Sequence, residues 1–189
     1  MSATGRRVRA DAQQNYERLV ETAAAVFARD GADATLKAIA AEAGVGIGTL
    51  YRHFPAREDL VEAVYRSETK RLCDAVPGLL NRMKPVEALR TWTLQFLDYM
   101  AAKDGMTDVL HSVLTADEGL RAQTRARINE SLTLLIDAGK HSGDLRPDLD
   151  AADVSLALGG FALILHRQPS SPQLALRLLD LLLTGLAQP

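Results

Sequence analysis

The twenty residues from Thr35 to Phe54, TLKAIAAEAGVGIGTLYRHF, constrain this chain more than any other stretch. Ala38, Ile39, Ala41 and Ala43 give a short helix with small apolar side chains. Gly44 then stops it, because a left-handed turn residue is cheapest without a Cβ. Val45 plugs the corner, and a second helix runs from about Gly46 to His53. Two short helices joined by a tight glycine-containing turn have the shape of a helix-turn-helix, a unit that places its second helix in the DNA major groove.

The rest of the composition fits such a unit on a helical body. Of 189 residues, 47% are hydrophobic, with alanine and leucine abundant and aromatics sparse. That balance favours an all-α fold with a real core. The net charge is -2, and over residues 1–60 the two signs cancel, so a basic face must be local. One is visible: no acid falls between Glu42 and Glu58, while Arg52, His53 and Arg57 do. Arg6, Arg7 and Arg9 form a second basic cluster ahead of Asp11. A single cysteine, Cys73, excludes an internal disulfide and fits a reducing cytoplasm. The apolar stretches at 156–165 and 174–186 fall short of the roughly 20 residues that span a bilayer, and residues 1–15 do not read as a signal peptide. The expectation is a cytoplasmic protein with no membrane partner.

Helical periodicity predicts a first helix over Asp11–Arg29, ended by Asp30-Gly31. Thr35 is the expected N-cap of the second. A long helix starts near Ala56, with Glu58 and Asp59 in its first turn; Pro77-Gly78 or Lys84-Pro85 ends it. Further helices are expected over 86–103, 106–114, 117–140, 151–167 and 171–187, with a Gly-, Pro- and Asp-rich loop over 141–150.

Over 35–60 the sequence resembles the TetR family of transcriptional regulators. The residues that carry the likeness are Thr35, Ile39-Ala40, Ala43-Gly44-Val45, Gly48-Thr49-Leu50-Tyr51-Arg52-His53-Phe54 and Arg57-Glu58-Asp59-Leu60, with Phe27 and Gly31 upstream. Ala56 departs from it, standing where the family often has a helix-capping residue. The resemblance implies an N-terminal three-helix helix-turn-helix domain over residues 1–55. It also implies a C-terminal helical domain over 56–189 that binds a small-molecule inducer and dimerises. A homodimer of this kind reads a pseudo-palindromic double-stranded operator, its heads about 34–36 Å apart. The function so implied is ligand-responsive regulation, as a repressor.

In the second helix, Gly46 and Gly48 allow close backbone approach to DNA but read no bases. Ile47 and Thr49 can touch a thymine methyl. Arg52 can fork onto guanine O6 and N7, worth about 1–3 kcal/mol of discrimination, or hold a phosphate; the sequence leaves both open. Lys37 can likewise reach a base or a phosphate. Thr35, Tyr51, His53 and Arg57 carry donors that grip the backbone, and Arg6, Arg7 and Arg9 can lie in a minor groove as an arm. Leu50 and Phe54 belong to the core, packing on Ile39 and Phe27.

Between Leu174 and Leu186 the last helix carries polar groups only at Arg177, Asp180 and Thr184, one narrow stripe. So much apolar circumference predicts burial on two sides. Ser155, Gly159, Ala162 and His166 on the helix before it, with Leu174, Leu178 and Leu181, make the expected four-helix dimer interface. Trp92, Phe96, Tyr99 and His111 are the candidate inducer contacts, although ordinary core packing accounts for each equally well.

No enzyme signature is present. The four histidines, at 53, 111, 141 and 166, have no metal-ligand spacing, so neither a metal, a cofactor nor a catalytic residue is expected. The competing reading is a helical ligand-binding or adaptor protein with a degenerate head. An intact Thr49, Tyr51, Arg52 and His53 speaks against it.

Overall fold

A computed structural model describes residues 3–167 and 172–187. Among these, nine α-helices and one 3-10 turn account for the regular structure. They are α1 (Ala3–Asp30), the 3-10 turn (Gly31–Asp33), α2 (Leu36–Glu42), α3 (Ile47–His53), α4 (Arg57–Arg82), α5 (Pro85–Asp104), α6 (Thr107–Ala116), α7 (Glu118–Ser142), α8 (Ala151–Arg167) and α9 (Pro172–Leu186). The fold is all-α, with an N-terminal helix-turn-helix followed by a helical C-terminal part, as the periodicity predicts.

One boundary differs from the sequence reading, and another decides between two ends that it left open. Helix α1 begins at Ala3 rather than Asp11, so Arg6, Arg7 and Arg9 sit on a helix, not on an extended arm. Alanine and arginine are good helix formers, and Gly5 alone does not stop propagation. The side chains of Arg6, Arg7 and Arg9 lie outside the described residues. Of the two ends the sequence left open for α4, the helix stops at Arg82, just before Lys84-Pro85, and runs through Pro77. Leu72, Val76 and Leu79 are buried at four- and three-residue steps on either side of it. That packed face carries the helix past a proline that a solvated helix would not tolerate.

The chain forms two compact units. The first comprises Met1–Glu68 with Ala102–Glu118. Its core holds Leu19, Ala23, Val26, Phe27, Ile39, Leu50, Leu60, Val61 and Val64, all with no exposed surface. Helix α6 belongs to this unit. Arg66 of α4 pairs with Asp117 at 3.4 Å, and the Gly105 corner before α6 sits against the backbone of Phe27. The second unit comprises Thr69–Ala101 with Gly119–Pro189. Arg127 of α7 bonds Asp74 of α4 at 3.1 Å, and Ser155 of α8 bonds Asn129 of α7 at 2.9 Å. Arg90 of α5 pairs with Asp180 of α9.

The loop after α7 is a fastened turn. Gly143 takes φ +77°, open to glycine at little cost. Lys140 Nζ donates to the Leu149 carbonyl at 2.6 Å. Arg146 then holds the end of α9: its backbone N–H donates to Leu186 O at 3.1 Å and its Nη1 to Gly185 O at 3.4 Å. Satisfying late carbonyls in this way is what a helix C-terminus needs.

Candidate nucleic-acid interface

Local chemistry builds the helix-turn-helix. Thr35 caps α2, its Oγ1 accepting from Ala38 N at 3.1 Å. Gly44 adopts φ +64°, the conformation that swings the chain from α2 to α3. Val45 is buried in the corner, and Val45 N bonds back to Ala40 O at 2.9 Å. At the far end Ala56 offers no capping side chain. Asp59 supplies half of a capping box instead, its carboxylate accepting from Ala56 N at 2.8 Å. Replacing Thr35 with alanine should therefore lower stability by about 1 kcal/mol, read as a fall of roughly 2–4 °C in melting temperature.

Leu50 and Phe54 are buried, as are Ile39 and Phe27. With one side of α3 held inward, the others face out. Ile47 is 42% exposed and Tyr51 50%. Gly46, Gly48, Arg52, Lys37 and Thr35 are exposed as well, and Thr49 is half-buried. Arg52 lies back along its own helix: Nε donates to Gly48 O and Nη2 to Thr49 Oγ1, each at 3.2 Å. His53 is half-buried, its ring edge-on to Tyr16 of α1 at 6.0 Å. Phe54 meets the same Tyr16 ring at 5.1 Å.

Arg57 is turned toward the protein. Its Nη1 donates to Ala34 O at 2.6 Å, and its guanidinium lies 5.3 Å from the centre of the Phe27 ring. It therefore ties the start of α4 to the residue before the Thr35 cap, with a cation–π contact on buried Phe27. The sequence reading grouped Arg57 with the backbone-gripping donors and missed this internal bond.

It also missed the contacts of Tyr16 with the His53 and Phe54 rings and the pairing of Arg29. Arg29 makes a bidentate pair with Glu42, Nη1 to Oε1 at 3.2 Å and Nη2 to Oε2 at 3.0 Å, and a second pair with Asp30. Hydrogen bonding to Arg29 holds both carboxyls below the usual carboxylate range. The acid at the edge of the basic strip is thus neutralised locally. A lone arginine at a helix end gives no sequence signal for a partner on another helix.

The other expected sites are distributed as follows. Trp92 is fully buried on α5, with Nε1 donating to Leu72 O at 3.1 Å. It stacks on Phe96 with ring centres 5.7 Å apart, and Phe96 meets Tyr99 at 6.1 Å. His111 does not share their buried setting; it is an exposed residue of α6 in the first unit. Cys73 is half-buried, and burial pushes its thiol pKa up. On α8, Ser155 is bonded to Asn129, Ala162 is buried and Gly159 is half-buried. Leu156 (79% exposed), Leu163 and Ile164 line the opposite side of that helix from buried Val154, Leu158 and Ala162. On α9, Leu179, Leu183 and Leu186 are buried, Leu174 and Leu178 are half-buried, and Leu181 is 71% exposed. The side chain of His166 lies outside the described residues.

A short, glycine-led helix held outward by a capped partner helix, on an otherwise all-helical chain, defines a DNA-binding regulator. A family model described as bacterial regulatory proteins of the tetR family matches residues 19–64. A second, described as the C-terminal domain of SbtR-like transcriptional regulators, matches residues 84–188. The chain belongs to the TetR family of transcriptional regulators. The crystal structure of a TetR transcriptional regulator from Streptomyces coelicolor is 47% identical, covers 91% of this chain and 98% of its own, and superimposes with a TM-score of 0.83. A TetR transcription regulatory protein from Mycobacterium vanbaalenii is 30% identical over 96% of this chain and 99% of its own, with a TM-score of 0.76. The HTH-type transcriptional repressor KstR2 of Rhodococcus jostii is 28% identical over 139 residues, 70% of this chain and 68% of that protein. Family and fold alike point to a DNA-binding regulator rather than an enzyme. Among the described residues, no helix is long and apolar enough to cross a membrane.

Proposed function

We propose that this protein is a ligand-responsive repressor acting on chromosomal DNA in the cytoplasm. It binds a pseudo-palindromic operator as a homodimer and leaves it when a small-molecule inducer binds. The observation that carries the reading is the outward set on the helix-turn-helix: Lys37, Ile47, Tyr51 and Arg52 exposed around two glycines, with no acid among them. Thr35, Tyr51 and His53 grip the sugar-phosphate backbone, while Arg57 braces the head from beneath. Residues 1–55 do the reading; residues 56–189 dimerise and hold the inducer.

The exposed leucines of α8 and α9 support a second copy as partner. Leu174, Leu178 and Leu181 recur at steps of four and three, so they share one face of α9, turned away from buried Leu179 and Leu183. The inducer site draws on the stacked Trp92, Phe96 and Tyr99, which suit an apolar or aromatic molecule. Occupancy shifts the protein toward a conformation whose heads no longer fit successive grooves, by no more than the inducer's differential affinity for the two conformations.

The test is a gel shift against DNA flanking the protein's own gene at 50 and 200 mM salt. A reader making six or more phosphate contacts loses about a thousandfold in affinity across that range. Tyr51→Phe should weaken every site alike. Absence of salt-sensitive binding would leave a helical ligand-binding protein as the reading.

A further inference from the structure

We propose that Arg52 reads a guanine in each operator half-site, and that Gly48 and Thr49 are the residues that aim it. This rests on the DNA-binding reading above and goes one step further: it chooses base over phosphate and assigns two positioning residues.

The first argument is angular. Successive residues of an α-helix are turned by about 100°. Leu50 and Phe54 are the buried residues of α3 and its C-cap. Arg52 stands two positions from each, hence about 160° from both. It occupies the crest of the helix, the line that enters a groove first. Gly48, one turn earlier, shares that crest and has no side chain. Ile47 and Tyr51 lie toward one flank, Thr49 and His53 toward the other. The crest thus carries a single long side chain.

The second argument is direction. Helical side chains lean toward the N-terminus, and Arg52 does so with two fixed bonds, Nε to Gly48 O and Nη2 to Thr49 Oγ1. The guanidinium is drawn to the leading half of α3, the half with which recognition helices meet base edges. Of its five N–H donors, two are engaged and three remain, enough for the two parallel bonds that guanine O6 and N7 accept. A backbone-gripping arginine would serve equally well from a flank and would need no such alignment.

The third argument is what Gly48 does not do. Its φ is not positive, and a Cβ built on it would meet no heavy atom of the protein within 4 Å. Glycine inside a helix is less favourable than alanine. The fold therefore gains nothing from it. The space left empty lies outside the helix, on the crest that Arg52 shares one turn later, where close approach to a base pair requires it.

The experiment is selection from a randomised duplex pool by the full-length dimer, followed by affinity measurements on the enriched site. The wild type is expected to enrich a symmetric site with one required guanine per half. Replacing that base by 7-deazaguanine, which lacks only the N7 acceptor, should weaken binding about tenfold or more. Arg52→Ala should accept any base there and ignore the 7-deaza change. Thr49→Val should relax the same position. Gly48→Ala should melt no lower than the wild type yet bind the enriched site at least about tenfold more weakly. If Arg52→Ala enriches the wild-type sequence and binds all duplexes uniformly more weakly, Arg52 holds a phosphate and the inference is overturned. If Gly48→Ala binds as the wild type does, the close-approach role of the bare Gly48 is overturned; the aiming bond to its carbonyl is present in both proteins. If the wild-type dimer enriches nothing, the DNA-binding reading itself has failed, an outcome distinct from both.

Discussion

Gly105→Ala is expected to lower the melting temperature by about 10 °C, the largest loss among single-methyl changes in the first unit. A Cβ at this position would overlap the carbonyl oxygen of Phe27 and lie 2.6 Å from its carbonyl carbon. Gly105 does not have a positive φ, so backbone strain is not the cause. The clash is backbone against backbone, where no flexible side chain can swing aside. Overpacking of this kind costs about 1–3 kcal/mol and occasionally more, and in a chain of this size each kcal/mol moves the midpoint by roughly 2–4 °C. Operator affinity should fall with it. Phe27 supports the Arg57 guanidinium, and Arg57 in turn holds Ala34, the residue before the α2 cap. Pushing the last turns of α1 therefore disturbs the seat of the helix-turn-helix. Thermal unfolding by circular dichroism checks the first effect and a gel shift the second. An unchanged melting curve would mean that the α5–α6 corner does not bear on α1.

Leu181→Glu should leave each chain folded but monomeric. Leu181 is 71% exposed in the isolated chain, so a charge there costs the fold little. Within an apolar interface the same carboxylate would lose its hydration without gaining a partner, a penalty of several kcal/mol. Sedimentation equilibrium at concentrations where the parent is dimeric is the direct measurement. In the proposed complex two heads bind DNA as a linked pair, so operator affinity should drop by about a hundredfold or more when the link is lost. A variant that remains dimeric, with unaltered DNA binding, would show that the copies meet elsewhere.

Helix positions were legible because periodicity is a local property. Tyr16, Leu19, Ala23 and Phe27 mark α1, and the turn glycine Gly44 and the Thr35 cap do what their chemistry requires. The crest of α3 was legible for the same reason: once Leu50 and Phe54 are assigned inward, Gly48 and Arg52 must point away. What the sequence hid depends on contacts between distant segments. Whether α4 ends at Pro77 or at Lys84-Pro85 stayed open because a window cannot see the packing that carries the helix past Pro77. Nothing local shows what Gly105 accommodates, since the Phe27 carbonyl belongs to another helix. Arg57 looked like any exposed cation, and its bond to Ala34 O becomes visible only when α2 and α4 are placed. Ser155 was read as a small residue for a second copy to approach, whereas its hydroxyl binds Asn129 within the same chain. His111 was grouped with Trp92, Phe96 and Tyr99 by residue type, and type alone does not separate the exposed side of α6 from its buried Leu110, Val113 and Leu114.

That Ala102–Glu118 folds with the head sets a practical rule for hybrid regulators. A transplant cut at residue 55 would part α1 from the Gly105 corner that fits against its Phe27 carbonyl. Moving the segment 102–118 together with the head keeps that fit, so exchanges designed in two pieces should give stable chimaeras where one-piece exchanges do not.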